Sequence, residues 1–207
     1  MVRPRGDTAG MAPPTRTPRA GWIDAGLRAL AAGGPDAVRI EPLARELGVT
    51  RGGFYGHFKS RAAFVDALLD TWERRSTEEV LERVEREGGD TRAKVLRAGT
   101  LTFGKELLPI DLAIRDWARR DRAVARRLRR VDDRRMAYLR EQIGTLCPDP
   151  AEAEARAMLA FTLAIGNHFV HAGHGARGRA EVLDLALDHI LRPAERGVRG
   201  GRTVRRT

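Results

Sequence analysis

The chain has 207 residues, 38 Lys+Arg against 28 Asp+Glu, and a formal net charge of +10, with 42% apolar and 32% charged residues. That balance excludes a charge-dominated disordered chain and points to a globular protein of one or two small domains with an anionic partner. No apolar run reaches the roughly 18 residues of a membrane span, the first residues lack the apolar stretch of a secretory signal, and the single Cys147 allows neither an internal disulfide nor a cysteine metal framework.

A soluble protein located in the cytoplasm, with no membrane partner, is therefore expected. The charge sits at the ends. Residues 1–20 carry Arg3, Arg5, Arg16 and Arg19 against Asp7, and residues 192–207 carry six Arg against Glu195, so the tails hold most of the net charge. Only Lys59, Lys94 and Lys105 are lysines, a bias towards arginine that follows the Ala and Gly richness of the whole chain. Both ends mix Pro, Gly, Thr and Arg without periodicity and read as a disordered basic arm, residues 1–18, and a disordered Arg-rich tail, residues 193–207. Met11 offers an alternative start.

Between the tails, helical periodicity predominates. Ile23, Leu27, Leu30 and Ala31 make one apolar stripe, stopped by Gly33-Gly34-Pro35. A short helix over residues 42–47 has Pro42 near its start and Gly48 as its C-cap, and a second short helix follows at once from Thr50. Ser60 then caps a long segment whose stripe includes Phe64, Leu68, Trp72, Val80, Leu81 and Val84, with a possible break near residue 76 at Ser76-Thr77-Glu78-Glu79. Asp90 opens a helix expected to run to about Leu108 and to end at Pro109. A short helix to Arg119 and a long one to residue 144 follow, and Pro148-Asp149-Pro150 breaks the chain. Residues 151–172 are apolar nearly all round, which predicts a helix buried on every side, and residues 180–191 carry two apolar rows. No strand-like alternation is sustained. The fold class is all-α, with about nine helices.

The stretch from Val38 to Arg61 has the layout of a helix-turn-helix: Leu43, Ala44 and Leu47 anchor one short helix, Gly48 turns the chain, and Val49, Phe54 and Phe58 anchor the other. The second helix then presents Thr50, Arg51, Gly52, Gly53, Tyr55, His57 and Lys59. Thr50 sits where hydroxyl and free amides favour a phosphate. Arg51 can donate a fork to guanine, Gly52 and Gly53 let the backbone approach the groove wall, and Tyr55, His57 and Lys59 reach phosphates. The three glycines of residues 52–56 each cost a helix roughly 1 kcal/mol against Ala, which suits a docking helix better than a structural one. Residues 45–61 concentrate Arg45, Arg51, Lys59 and Arg61 against Glu46, whereas residues 21–75 as a whole carry eight basic and seven acidic side chains.

Residues from about 19 to 72 resemble the N-terminal DNA-binding domain of TetR-type transcriptional regulators. The resemblance is carried by the first helix closing on Gly33-Gly34, the Leu43-Ala44…Leu47-Gly48-Val49-Thr50 turn, the Phe54-Tyr55…His57-Phe58 ending and Lys59-Ser60-Arg61. Arg39-Ile40-Glu41 stands where the family usually has Thr or Ser, so Arg39 replaces a capping phosphate contact, and Gly56 replaces a large residue. The resemblance implies a helix-turn-helix domain at 19–65 and a helical effector-binding and dimerisation domain at 66–192. It implies a homodimer on a palindromic double-stranded DNA operator, most simply a repressor, released by a small-molecule effector. Trp72, Phe103, Trp117, Tyr138, Phe161 and Asn167 are the candidate effector-pocket residues, and plain core is the competing role for the aromatic ones. Ala160, Ala164, Phe169, Val182, Ala186 and Ile190 are the candidate dimer face, with small residues allowing close helix approach.

Other groups point to less. His168, His171 and His174, spaced by three, read as core or interface histidines, and neither metal nor cofactor is expected. The eight Arg between Arg115 and Arg130 read as a solvated face, with an acidic effector or a second DNA patch as the alternatives. Cys147 is a free thiol with nothing nearby to activate it. No nucleophile–base pair, phosphate loop or carboxylate pair suggests an enzyme. The alternative function is a non-specific nucleic-acid-binding protein using its arginine tails.

Overall fold

In a computed structural model, residues 17–193 are described. Most of both expected tails therefore lies outside the described residues. Ten helical segments and no strand occur among the described residues: α1 (Arg19–Ala37), α2 (Ile40–Glu46), α3 (Arg51–Tyr55), α4 (Arg61–Ser76), α5 (Glu78–Glu87), α6 (Thr91–Thr102), α7 (Leu108–Ala118), α8 (Arg122–Gly144), α9 (Pro150–Gly166) and α10 (Arg179–Ile190). The count exceeds nine because the segment after Ser60 breaks at Thr77, whose φ of −126° and ψ of −82° are not helical.

Local chemistry sets the ends. In α1 the helix proper gives way at Gly33 and Gly34, and Gly34 adopts φ +68°, a conformation only glycine takes without strain. Gly48 does the same at φ +66° between α2 and α3. The Ser60 hydroxyl accepts from the Ala63 amide at 3.1 Å to start α4, and Asp90 and Asp121 cap α6 and α8 in the same way. Two expectations need correction. Pro109 does not end a helix. It lies in the first turn of α7, where its missing N–H costs nothing, and α6 stops earlier at Thr102. The helix from residue 150 ends at Gly166 rather than 172, so His168, His171 and His174 lie beyond it and do not share a helical face.

Three apolar clusters hold the helices. The first joins α1 to α4 around Trp22, Leu30, Leu43, Phe54, Phe64, Leu68 and Trp72, and continues without a gap into Ile110 and Ile114 of α7 and Val124 and Val131 of α8. Helix α4 thus runs across the boundary expected at residue 65, and α7 lies against α1. Phe54 is fully buried, with the rings of Trp22, Tyr55, Phe58 and Phe64 centred 5.2–5.3 Å away. At Gly26 a Cβ would stand 2.7 Å from Leu68 Cδ2 and from Phe64 Cζ, so the glycine is what lets α1 and α4 approach. The second cluster packs α8 against α9 through Met136, Leu139, Ile143, Ala153, Ala157 and Ala160, with Cys147 buried in it, and the third gathers Val80, Leu81, Val84, Ala98 and Tyr138.

The helix expected to be buried all round is not covered within one chain. Only Ala153, Ala157 and Ala160 of α9 are buried, and no residue of α10 is. The small residues of α9 face α8, which approaches over them, while Met158 and Leu159 are 57% exposed on the opposite side.

Candidate nucleic-acid interface and helical-domain cavity

Helices α2 and α3, joined by the Gly48 turn, project one face away from the first cluster. Phe54 anchors α3 inward, so a five-residue helix presents Arg51, Gly52 and Tyr55 outward, and Thr50 and Lys59 flank them, exposed. Arg39 is exposed at the start of α2 with no side-chain capping bond. The structure therefore brings Thr50, Arg51, Gly52, Tyr55 and Lys59 together around one short helix. Gly53 is half-buried beside them. A Cβ at Gly52 would meet nothing nearer than Thr50 Oγ1 at 3.6 Å, and one at Gly53 nothing nearer than Val49 Cβ at 4.0 Å. Protein packing does not require glycine at either position.

The side chains are organised. Arg51 donates from Nη2 to the Tyr55 hydroxyl at 3.4 Å, stacks 5.9 Å from the Tyr55 ring centre, and lies 3.2 Å from Glu41 Oε1 through Nη1. The hydrogen bond to Tyr55, with Glu41 behind it, pushes its pKa above the ordinary arginine value. His57 is half-buried and turned the other way, its Nε2 donating to the Thr17 carbonyl at 3.0 Å, which pins the start of α1. Arg61, counted above with the basic docking surface, donates from Nε to Val38 O and from Nη2 to Pro35 O, both at 3.0 Å. It closes the α1–α2 connection. Arg19 stacks 5.0 Å from the Phe58 ring centre.

A second site lies in the helical domain. A cavity of about 310 Å³ opens between α6, α8, α9 and α10. Phe103, Tyr138, Phe161 and Asn167 line it, as do Ala160 and Ala164, two of the residues expected at the dimer face. Trp72 and Trp117 do not. Trp72 is fully buried in the first cluster and Trp117 packs against that cluster, because α4 and α7 both pack on α1 and α8 rather than on α9. Most of the wall is apolar, from Leu81, Val95, Leu139, Leu163, Leu183 and Leu187. Tyr138 donates to Glu85 Oε1 at 2.7 Å, and burial together with that carboxylate pushes its hydroxyl pKa up, so it stays protonated. Asn167 accepts from Arg179 through its carbonyl at 3.1 Å and its side-chain oxygen at 3.3 Å.

A charged constellation that periodicity does not reveal adjoins the cavity. Asp111 is fully buried, and accepts from Arg115 Nε at 2.7 Å and from Arg135 Nη2 at 2.9 Å. Arg115 also grips Asp132 with two bonds of 3.0 and 2.7 Å. Burial works against the charge on Arg115, but Asp132 and Asp111 outweigh it and raise its pKa. Arg135 also donates from Nε to the carbonyl of Ser76, the last residue of α4, at 3.3 Å.

The remaining expected groups fall as follows. Phe169 is 61% exposed just beyond α9, and Val182, Ala186 and Ile190 are half-buried on α10. Along the arginine-rich run, Arg120 pairs with Asp116, Arg127 with Asp66, Asp70 and Glu73, and Arg130 with Glu73. Arg119, Arg122, Arg126 and Arg129 have no acidic partner among the described residues. No group of three metal-ligating side chains occurs among the described residues, and no described helix is long and apolar enough to cross a membrane.

Residues 23–68 match the family of bacterial regulatory proteins, tetR family. Comparison with curated proteins finds no match. Among solved structures, a transcriptional regulator from Rhodococcus sp. Rha1 superposes with a TM-score of 0.64 at 22% identity, covering 84% of this chain and 94% of that one. SCO4454, a TetR-family transcriptional regulator from Streptomyces coelicolor, gives 0.64 at 17% identity over 84% and 91%. AibR, solved with isovaleryl coenzyme A and operator DNA, gives 0.61 at 12% identity over 85% and 99%. At these identities the likeness shows the fold across both halves of the chain.

Proposed function

We propose that the chain, with a tetR-family DNA-binding segment at residues 23–68 and the fold of such regulators around it, is a TetR-family transcriptional regulator that acts as a ligand-responsive repressor. In this reading it binds a palindromic operator as a homodimer and leaves it when a small molecule fills the helical-domain cavity. Its place is the cytoplasm, it has no catalytic role, and it uses no cofactor. The observation that carries the reading is the exposed face of α3, where Arg51, two glycines and flanking Thr50, Tyr55 and Lys59 surround one buried anchor, Phe54. Arg51 would read a guanine, and Thr50, Tyr55, Lys59 and Arg39 would fix the register on phosphates. His57 would act by holding the start of α1.

The second copy would dock at the other end of the chain. Met158, Leu159, Phe169, Val170 and Leu185 are large apolar side chains left 40–61% exposed on and beside α9 and α10. Such a concentration marks a contact surface. Two-fold pairing of those helices would cover it, and would present two α3 helices to successive major grooves. Support for effector binding is the cavity itself, which is concave, mostly apolar and furnished with a few polar groups. AibR shares the fold and was solved with both operator DNA and an acyl-coenzyme A.

Selection of bound duplexes from a random-sequence library tests the reading. It is expected to yield an inverted repeat. A library that emerges with no preferred sequence would support the tail-based, non-specific alternative instead.

A further inference from the structure

Of the polar groups on the cavity wall, Arg135 stands apart. Its side chain is only 6% exposed, it lies over the Phe103 ring with the guanidinium carbon 5.5 Å from the ring centre, and it lines the cavity from α8. Two of its three nitrogens are committed: Nε to the Ser76 carbonyl and Nη2 to Asp111. The third, Nη1, is buried with no acceptor within hydrogen-bonding distance among the described residues, and Asp132 Oδ1 at 3.6 Å is too far to serve. A buried donor left unsatisfied is costly, and a buried guanidinium more so, because the charge strengthens the bond it forgoes.

What Nη1 lacks is an acceptor, and an anionic oxygen makes the stronger bond to a guanidinium. Asp111 and Asp132 are both already held by Arg115, so neither is free to turn towards Nη1. The acidic group on the cavity wall is Asp184, 60% exposed and within 3.5 Å of Arg92, at the solvent side. The rest of the wall that a ligand body would meet is aliphatic and aromatic, from Leu139, Phe161, Leu163 and Leu187. An apolar body fits that wall, and a carboxylate oxygen can accept from the free Nη1.

We propose that the cavity takes an apolar molecule carrying a single carboxylate, recognised by Arg135 Nη1. The inference rests on the reading of this cavity as the effector site and adds the ligand class and its specificity residue. It also gives the ligand a mechanical handle. The same guanidinium holds the last carbonyl of α4 beside the Thr77 break, and it holds Asp111 on α7, which packs along α1. Both connections lead to the DNA-binding half. A ligand that draws on Nη1 therefore pulls on the same guanidinium whose other two nitrogens set where α4 and α7 sit.

The test is calorimetric titration of the full chain with matched pairs, each an apolar carboxylic acid and its own primary amide, spanning hexanoic to decanoic acid and phenylalkanoic acids of similar length. At least one acid is expected to bind tenfold or more tightly than its amide, as loss of a charge-assisted bond predicts. Arg135→Lys, which keeps a cation beside Asp111, should shrink that preference to under threefold. Should that variant unfold, Arg135→Gln combined with Asp111→Asn removes both charges together and should do the same. Equal binding of acids and amides, acid binding that both variants leave intact, or no binding by any acid of the set would overturn the proposal. Operator release measured in parallel separates the two readings. Release by amides as readily as by acids overturns the carboxylate and keeps the effector site, whereas acid binding without release keeps the carboxylate and overturns the effector role.

Discussion

Arg51 and Glu41 face each other across the helix-turn-helix, Nη1 to Oε1 at 3.2 Å, on the surface that the fold turns outward. Both side chains are well exposed, so the pair adds little to stability. Its consequence is functional: an acidic group holds the arginine that would read a base, and the Tyr55 ring stacks behind it.

Substitutions at this surface should separate reading from holding. Arg51→Ala is expected to relax base preference at one operator position, by about 1–3 kcal/mol, while leaving random DNA binding nearly unchanged. Lys59→Ala should weaken all sequences alike and lower the salt slope by about one. Glu41→Gln should raise affinity for any duplex at low salt, and the gain should fade as salt is added. Fluorescence anisotropy on operator and scrambled duplexes at three salt concentrations checks all of them. Equal losses on both duplexes for Arg51→Ala would remove its reading role.

Gly52 and Gly53 give an opposed pair of outcomes. Because a Cβ has room at both within the protein, Gly52→Ala and Gly53→Ala should each leave stability unchanged or raise it by up to about 1 kcal/mol. If the glycines serve close approach to DNA, operator affinity falls tenfold or more in the same variants. Denaturant melts beside binding curves read the two effects separately. Variants that are more stable and bind normally would show that the glycines are not interface devices.

Asp111→Asn should be the most damaging single change in the helical domain. It leaves Arg115 and Arg135 buried with one fewer anion, and removing one member of a buried ionic group costs about 3–5 kcal/mol. Urea unfolding should show that loss. A change under about 1 kcal/mol would mean that Asp132 takes over the pairing.

The uncovered apolar face of α9 and α10 predicts the oligomeric state. Light scattering at micromolar concentration should give the mass of two chains, and Leu159→Asp or Met158→Asp should shift it towards one chain without lowering helix content. A monomeric parent chain would remove the two-fold docking scheme.

How much of this was legible in the sequence varies with how local the cause is. The helix-turn-helix was, because Gly48, Phe54 and Ser60 act within a few residues of themselves: a positive φ, an inward anchor and a cap. The break at Thr77 was too. Arg61 was not, since the carbonyls it closes on belong to Pro35 and Val38, 26 and 23 residues away, and an arginine after a DNA-facing helix reads first as a phosphate contact. The Asp111, Arg115, Asp132 and Arg135 group was hidden for the same reason, dispersed through an arginine-rich stretch that looked like solvated surface. Ala160 marks a close helix approach, as its size suggests, but it packs in the cluster that joins α9 to α8 of the same chain, and Ala164 lines the cavity. Periodicity tells which residues share a face and not what that face meets, which is why Trp72 went to the first core rather than to the cavity.

The most direct measurement of the central claim is the stoichiometry and affinity of the full chain on the selected inverted repeat, on a single half-site and on a scrambled duplex at physiological salt. The account predicts two chains per inverted repeat and binding at least about a thousandfold tighter than to the scrambled duplex, with the half-site well below the full site. One chain per site, or equal affinity for all three duplexes, would contradict it.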